Sequence, residues 1–153
     1  MKKAPSGNAR EAEQQLQQAM QHHQAGHLFE ADRHYARVLA LRPAHPQALR
    51  LRGILARTAG DIQQSVRLLT AAVEHATDSD SARARAELAM TLMVVGDLHS
   101  AEQNLRAARR LAPNAIDILT NLAALLQHRG HIHEAIRLYR QVLAQDASEV
   151  EGH

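Results

Sequence analysis

The sequence contains no cysteine and no tryptophan. Disulfides, thiolate metal ligands and cysteine nucleophiles are excluded at once, while the redox compartment stays open. Aromatic residues make up only 2% of the 153 positions, against 45% hydrophobic residues in all. A core must therefore come from Ala, Leu, Val and Met, which favours closely approaching helices over a β-sandwich. So few aromatics also leave little to stack on nucleobases. Lysine occurs only as Lys2 and Lys3, and the formal charge of +2 is small for an obligate nucleic-acid binder. No apolar run could span a bilayer, and Ala4, Pro5, Ser6, Gly7 and Asn8 do not extend the Met1-Lys2-Lys3 start into a signal peptide. No nucleic acid, no membrane and a cytoplasmic location are the resulting expectations.

Catalytic signatures are equally scarce. There is no G-x-S-x-G elbow, and the glycines stand singly rather than in a phosphate-cradling loop. The chain is expected to be neither an enzyme nor the holder of a cofactor. Histidine is the abundant titratable group, with eleven residues that gain charge below about pH 6.5. His128, His131 and His133 crowd one turn beside Glu134, a donor set that could interest zinc. Yet Gly26-His27 and Gly130-His131 occupy equivalent places, so a turn-capping role accounts for both histidines and a metal for only one; no metal is expected. His22 and His23 read as helix surface.

What the chain does have is repetition. The stretch 26–40, GHLFEADRHYARVLA, returns at 130–144 as GHIHEAIRLYRQVLA, with nine of fifteen positions identical. Gly26, Gly60, Gly96 and Gly130 are separated by 34, 36 and 34 residues, each placed where a helix C-cap belongs. After each glycine comes a candidate N-cap with an acid or amide three residues on: His27 with Glu30, Asp61 with Gln64 and His131 with Glu134, and in weaker form Asp97 with Ser100. Helix pairs are expected near 11–25 with 28–41, 46–59 with 62–76, 81–95 with 98–111 and 115–129 with 132–146. The two extra residues of the third interval fall in Asp78-Ser79-Asp80-Ser81. Residues 1–10 are expected to be a disordered leader and 150–153 a tail, around a single domain at 11–149. Arg106, Arg109 and Arg110 gather where a helix ends, a placement the helix dipole explains.

A 34-residue unit with a small residue at position 8, Gly at 15, a small residue at 20, a large one at 24, a small or apolar one at 27 and Pro at 32 resembles the tetratricopeptide repeat. The matching residues are Ala19, Gly53, Ala89 and Ala123 at position 8, then Ala31, Ser65, Ala101 and Ala135 at position 20. Tyr35, Leu69, Leu105 and Tyr139 follow at position 24, and Val38, Ala72, Ala108 and Val142 at position 27. Pro43 and Pro113 stand at position 32, with Thr77 and Ala147 in their place in the other two units. The departures are Gln15 and Arg85 at position 4, and Gln18 and Arg52 at position 7. The resemblance implies an all-α, right-handed α-solenoid of four repeats, near 12–45, 46–79, 82–115 and 116–149.

It further implies that the first helix of each pair lines a concave groove that takes a peptide segment of a partner. On that basis the groove residues are Leu16, Met20 and His23, then Arg50, Ile54 and Arg57, then Arg83, Met90 and Met93, then Thr120, Asn121, Ala124, Gln127 and His128. A Met and Ile floor with arginines around its middle suits an acidic, amphipathic protein or peptide. The competing reading makes the Met row inter-repeat core and the arginines a solvated face. The carboxylate-clamp subset of the family wants Lys and Asn at groove sites, and only Asn121 fits. Ile136, Tyr139 and Leu143 of the last helix are expected to lack a cover within this chain, which leaves two readings open: a chain cut from a longer protein, or a homodimer through the last repeat. An alternative function is the N-terminal recruitment or dimerisation module of a larger enzyme whose catalytic domain lies outside this chain.

Overall fold

A computed structural model describes residues 7–152, and among them it contains eight helices and no strand. They pair in sequence: α1 (Gly7–Gln24) with α2 (Leu28–Leu41), α3 (Pro46–Thr58) with α4 (Ile62–His75), α5 (Asp78–Val95) with α6 (Leu98–Leu111), and α7 (Ile116–His128) with α8 (Ile132–Glu151).

Each hairpin turns on the same backbone motif. At Gly26, Gly60, Gly96 and Gly130 φ is 81°, 88°, 91° and 88°, the left-handed region where a Cβ would clash with the following carbonyl. The amide after each glycine donates back to the helix, His27 N to His22 O at 2.8 Å, Asp61 N to Ala56 O at 2.9 Å, Asp97 N to Leu92 O at 3.0 Å and His131 N to Leu126 O at 2.8 Å. The glycine amides themselves reach His23, Arg57, Met93 and Gln127 carbonyls at 3.1 Å. This is the Schellman arrangement repeated four times, and it satisfies carbonyls that a helix end otherwise leaves open. The residue after the glycine then starts the next helix. Asp61 and Asp97 accept from the amides of Gln64 and Ser100, both at 3.2 Å. His27 and His131 make no such side-chain bond, contrary to the capping expected of them. A short carboxylate reaches the third amide readily, whereas these imidazoles do not turn back onto it.

The small-residue positions are where the hairpins close. Ala19, Gly53, Ala89 and Ala123 on the first helices, and Ala31, Ser65, Ala101 and Ala135 on the second, are all buried. Gly53 shows why. A Cβ built there would sit 2.6 Å from Leu69 Cγ, and Leu69 is itself fully buried with nowhere to retreat. Tyr35, Leu69 and Leu105 at the large position are fully inside, while Tyr139 is half-buried.

Three boundaries differ from the sequence expectation. The first helix begins at Gly7, because Ala9, Arg10 and Glu11 are good helix formers and Ala12 is buried. Residues 1–6, the rest of the expected leader, lie outside the described residues. The last helix continues through Glu151, since no breaker stands between Ala147 and Gly152. The fifth helix begins at Asp78 rather than near residue 81, and the chain divides into two compact units, one ending at Asp80 and the other starting at Ser81. That division falls in the two-residue insertion, where Asp78 holds a φ of 52° that Asp tolerates better than most residues.

In unit one α3 packs on α2, and Ala12, Leu16, Ala19, Ala31, Tyr35, Val38, Ala48 and Leu55 form one core cluster. In unit two α7 packs on α6, around Leu105, Leu119, Leu122 and Leu126.

Enlarging a closing position should cost stability. Ala101→Leu or Ala135→Leu is expected to lower stability by roughly 1–3 kcal/mol through overpacking. Gly53→Ala should destabilise even though Ala is worth about 1 kcal/mol more than Gly in a helix interior. Chemical denaturation of the three variants checks this, and an unchanged midpoint would contradict the assigned packing.

Candidate binding surfaces

The sequence-derived groove residues divide between the two units. In the first, Leu16 belongs to the core rather than to a surface, since the stripe Ala12, Leu16, Ala19 faces α2. Of the others, Met20, His23 and Arg50 lie near Tyr35. Its ring is buried, and its hydroxyl lies 2.9 Å from His23 Nδ1, with the two rings edge to face at 5.8 Å. Burial raises the Tyr35 phenol to about 12 against a smaller opposing pull from the nearby Arg50 charge. Met20, His23, Gln24, Tyr35 and Leu51 line a pocket of about 200 Å³. Gln47 Nε2 donates to the Met20 sulfur at 3.9 Å and steadies its thioether. On α3, Arg50, Ile54 and Arg57 follow at i, i+4 and i+7, so they share one helix face, and each is half-buried. Gln24, Tyr35 and Leu51 are absent from the sequence-derived set. Their signal was present in the repeat, because Tyr35 fills the large position and shows its hydroxyl only where helix two meets helix one.

In the second unit the corresponding residues scatter in environment. Arg83 and Met90 are exposed, while Met93 is half-buried against the core. Met20 is likewise packed at the edge of its core. Thr120 Oγ1 donates to Ile116 O at 2.7 Å, within its own helix. Asn121 is half-buried, and Ala124 and His128 are exposed. Gln127 accepts from the Tyr139 hydroxyl at 3.3 Å, the same repeat positions that join His23 to Tyr35. Gln127, Ile132, Ala135, Ile136 and Tyr139 line a second pocket of about 160 Å³.

The departures from the repeat pattern find partners. Gln15 and Arg85, at position 4, pair with position 23 of the same hairpin: His34 Nδ1 with Gln15 Oε1 at 2.7 Å, and Arg85 Nη1 with Asn104 Oδ1 at 3.3 Å. In the other two hairpins those places hold Leu49 with Leu68 and Leu119 with Leu138. Arg52, at position 7, reaches back to Asp32 at 2.8 Å and ties α3 to α2. A larger network joins α6 to the last hairpin. Arg106 engages Glu134 through two bonds, at 2.8 and 3.1 Å, and Glu102 at 3.1 Å, while Arg129 meets Glu102 at 2.9 Å. Arg106 is therefore an ion-pair hub rather than a residue that merely complements a helix end, and Glu134 serves it instead of capping. The Arg106 guanidinium holds the Glu134 carboxyl below its usual range.

Histidines cluster in the first hairpin. His22 Nδ1 lies 3.4 Å from His27 Nδ1, and the His22 and His34 rings stack at 5.3 Å with 8° between their planes. His34 titrates below its ordinary value through burial first, then through Arg37, His22 and Arg33. His23 is lowered by burial. Among the described residues no group of three or more His, Asp or Glu side chains converges as a metal site would require, and no helix is long and apolar enough to cross a membrane.

No family model matches the chain, and no curated protein does either. Solved structures do. A double mutant of MamA RS-1 superposes with a TM-score of 0.81 at 22% identity, covering 94% of this chain and 79% of that one. Another crystal structure of MamA gives 0.82 at 16% identity, covering 92% and 81%. The Cut9–Hcn1 hetero-tetramer of APC/C gives 0.80 at 22%, with 87% of this chain but only 26% of that one.

Histidines with lowered folded values favour the neutral form in the native state. Their contribution is present above the unfolded value near pH ~6.5 and is lost as pH falls through the folded value. Thermal melts between pH 7 and 5 should show declining stability, and His23→Gln with His34→Gln should flatten that decline; a pH profile identical to wild type would exclude both groups. These geometries and likenesses establish a tetratricopeptide-type, all-α helical repeat fold of the α-solenoid class.

Proposed function

We propose that the chain is a tetratricopeptide protein whose work is equilibrium binding of other proteins, with the pocket of unit one as the anchor for an acidic, amphipathic peptide segment. The observation that carries this reading is the pocket around Tyr35, walled by Met20 and Leu51, with Arg50 near enough for its charge to act on the Tyr35 phenol. A Met-lined recess adapts to an apolar side chain at little cost, and guanidinium forks beside it engage carboxylates in pairs. The protein needs no cofactor for this and performs no reaction.

A second reading, as a recruitment module of a larger enzyme, is favoured by the likeness to part of an O-GlcNAc transferase from Thermobaculum terrenum. That match has a TM-score of 0.73 at 24% identity and covers 80% of this chain but 23% of that one. Self-association through the last hairpin accompanies either reading, because the outer face of α8 is apolar and exposed.

A fluorescein-labelled helical peptide with one Leu-rich and one Glu-rich face serves as the probe. Arg50→Glu with Arg57→Glu should weaken its binding tenfold or more, a loss of at least ~1.4 kcal/mol, with helicity unchanged. Binding should also weaken with salt. An affinity unaltered by the double charge reversal would reject the pocket as the anchor.

A further inference from the structure

One side of α8 is already committed. Ala135 and Leu138 are buried in the core, and Gln141 and Gln145 donate to Pro113 O and Asn114 Oδ1, both at 3.5 Å. The adjoining side carries Ile132, Ile136, Tyr139, Leu143 and Val150, spaced by four, three, four and seven residues, with Tyr139 half-buried at its inner edge. That is the a/d spacing of a coiled-coil seam. Ile132 is 47% exposed, Ile136 40%, Leu143 66% and Val150 77%. We propose that this seam is an interface between two copies of the chain, in which α8 packs antiparallel on α8 of the second copy in a closed two-fold dimer. The inference rests on the self-association just assigned to this hairpin and adds its partner and direction.

Three observations select this partner and this direction. The first is the charge along α8. Outside the side that faces α7 and Asn114, His133 and Arg140 are exposed on its first half, and Asp146 and Glu151 on its second, whereas Arg137 and Glu149 stand with Gln141 and Asn114 on the committed side. Antiparallel pairing sets the basic half of one helix against the acidic half of the other; parallel pairing sets like against like. The second is Asp146, which stands in the seam between Leu143 and Val150. Parallel helices would press two Asp146 carboxylates together, whereas antiparallel ones part them and bring each toward the partner's basic half.

The third observation excludes head-to-tail growth. Where α3 and α7 meet a preceding hairpin, they do so with Ala48, Leu51 and Leu55, and with Ile118, Leu122 and Leu125. On α1 the equivalent places hold Gln14, Gln17, Gln18 and Gln21, all exposed. Seating α1 of a second copy on the seam would bury four carboxamides against aliphatic groups that cannot bond them. A heterologous contact is therefore disfavoured, and the assembly closes at two.

Sedimentation equilibrium of the full chain, from micromolar to millimolar, should show a mass rising to twice the monomer's and no further. Leu143→Glu should remain monomeric with its helical circular dichroism intact. The chain has no native cysteine, so Ala147→Cys, at an exposed position beside the seam, places a single spin label on α8. At 1.5 Å per residue an antiparallel pair centred on the seam holds two such labels about 20 Å apart, against roughly 10 Å for a parallel pair. A monomer at every concentration, or a Leu143→Glu chain that associates like wild type, would overturn the interface and the self-association with it. Mass growing past two would overturn closure. Strong short-range broadening between labels would overturn the antiparallel direction alone.

Discussion

Each hairpin depends on a backbone that reverses within two residues while leaving no carbonyl unsatisfied. Only a left-handed residue does this cheaply, and four glycines with φ between 81° and 91° supply it. The reversal sets the start of the second helix at a fixed phase after the end of the first. With phase set, residues 12 and 19 apart along the hairpin meet in the same register each time. His23 finds Tyr35 and Gln127 finds Tyr139 for this reason. Gln15 finds His34 and Arg85 finds Asn104 for the same one.

The second requirement is closeness. Helices crossing at Ala, Ser or Gly bring backbones near enough that the large residue of the next turn is enclosed, as Leu69 is against Gly53. A core built this way needs few aromatics, which fits a chain with three of them. The polar departures then become understandable as pairs rather than defects. A buried or half-buried amide or guanidinium is tolerated when its partner stands at the matching place of the other helix, and costly when it does not. Between hairpins, ion pairs take the same part: Arg52 with Asp32 in one unit, and the Arg106 network in the other.

Function follows from what this packing leaves outside. In the first unit it leaves a recess beside Tyr35 lined by Met20, His23, Gln24 and Leu51. In the second it leaves the outer seam of α8. The two surfaces lie in different units.

Much of the fold was legible in the residues themselves. Glycine spacing located the four turns, and the small and large positions of the repeat located the core, because both express backbone constraints that a side chain reports directly. Helix ends without such a marker were not legible: nothing in residues 7–10 or 147–151 announces a boundary, and helix propensity with packing decided them. Capping by His27 and His131 was inferred from position, but capping depends on whether a side chain can turn back onto an amide, which is a matter of geometry. The candidate site was less legible still. Sequence listed residues on a helix face, Leu16 among them, whereas only packing decides which neighbours of that face are enclosed. Composition and periodicity thus determined that helical hairpins form and where they turn, since those are local properties of the chain. Which side chains meet across them, and which pocket and which seam stay open, was decided by the tertiary structure, because contact and exposure are relations between residues distant in sequence.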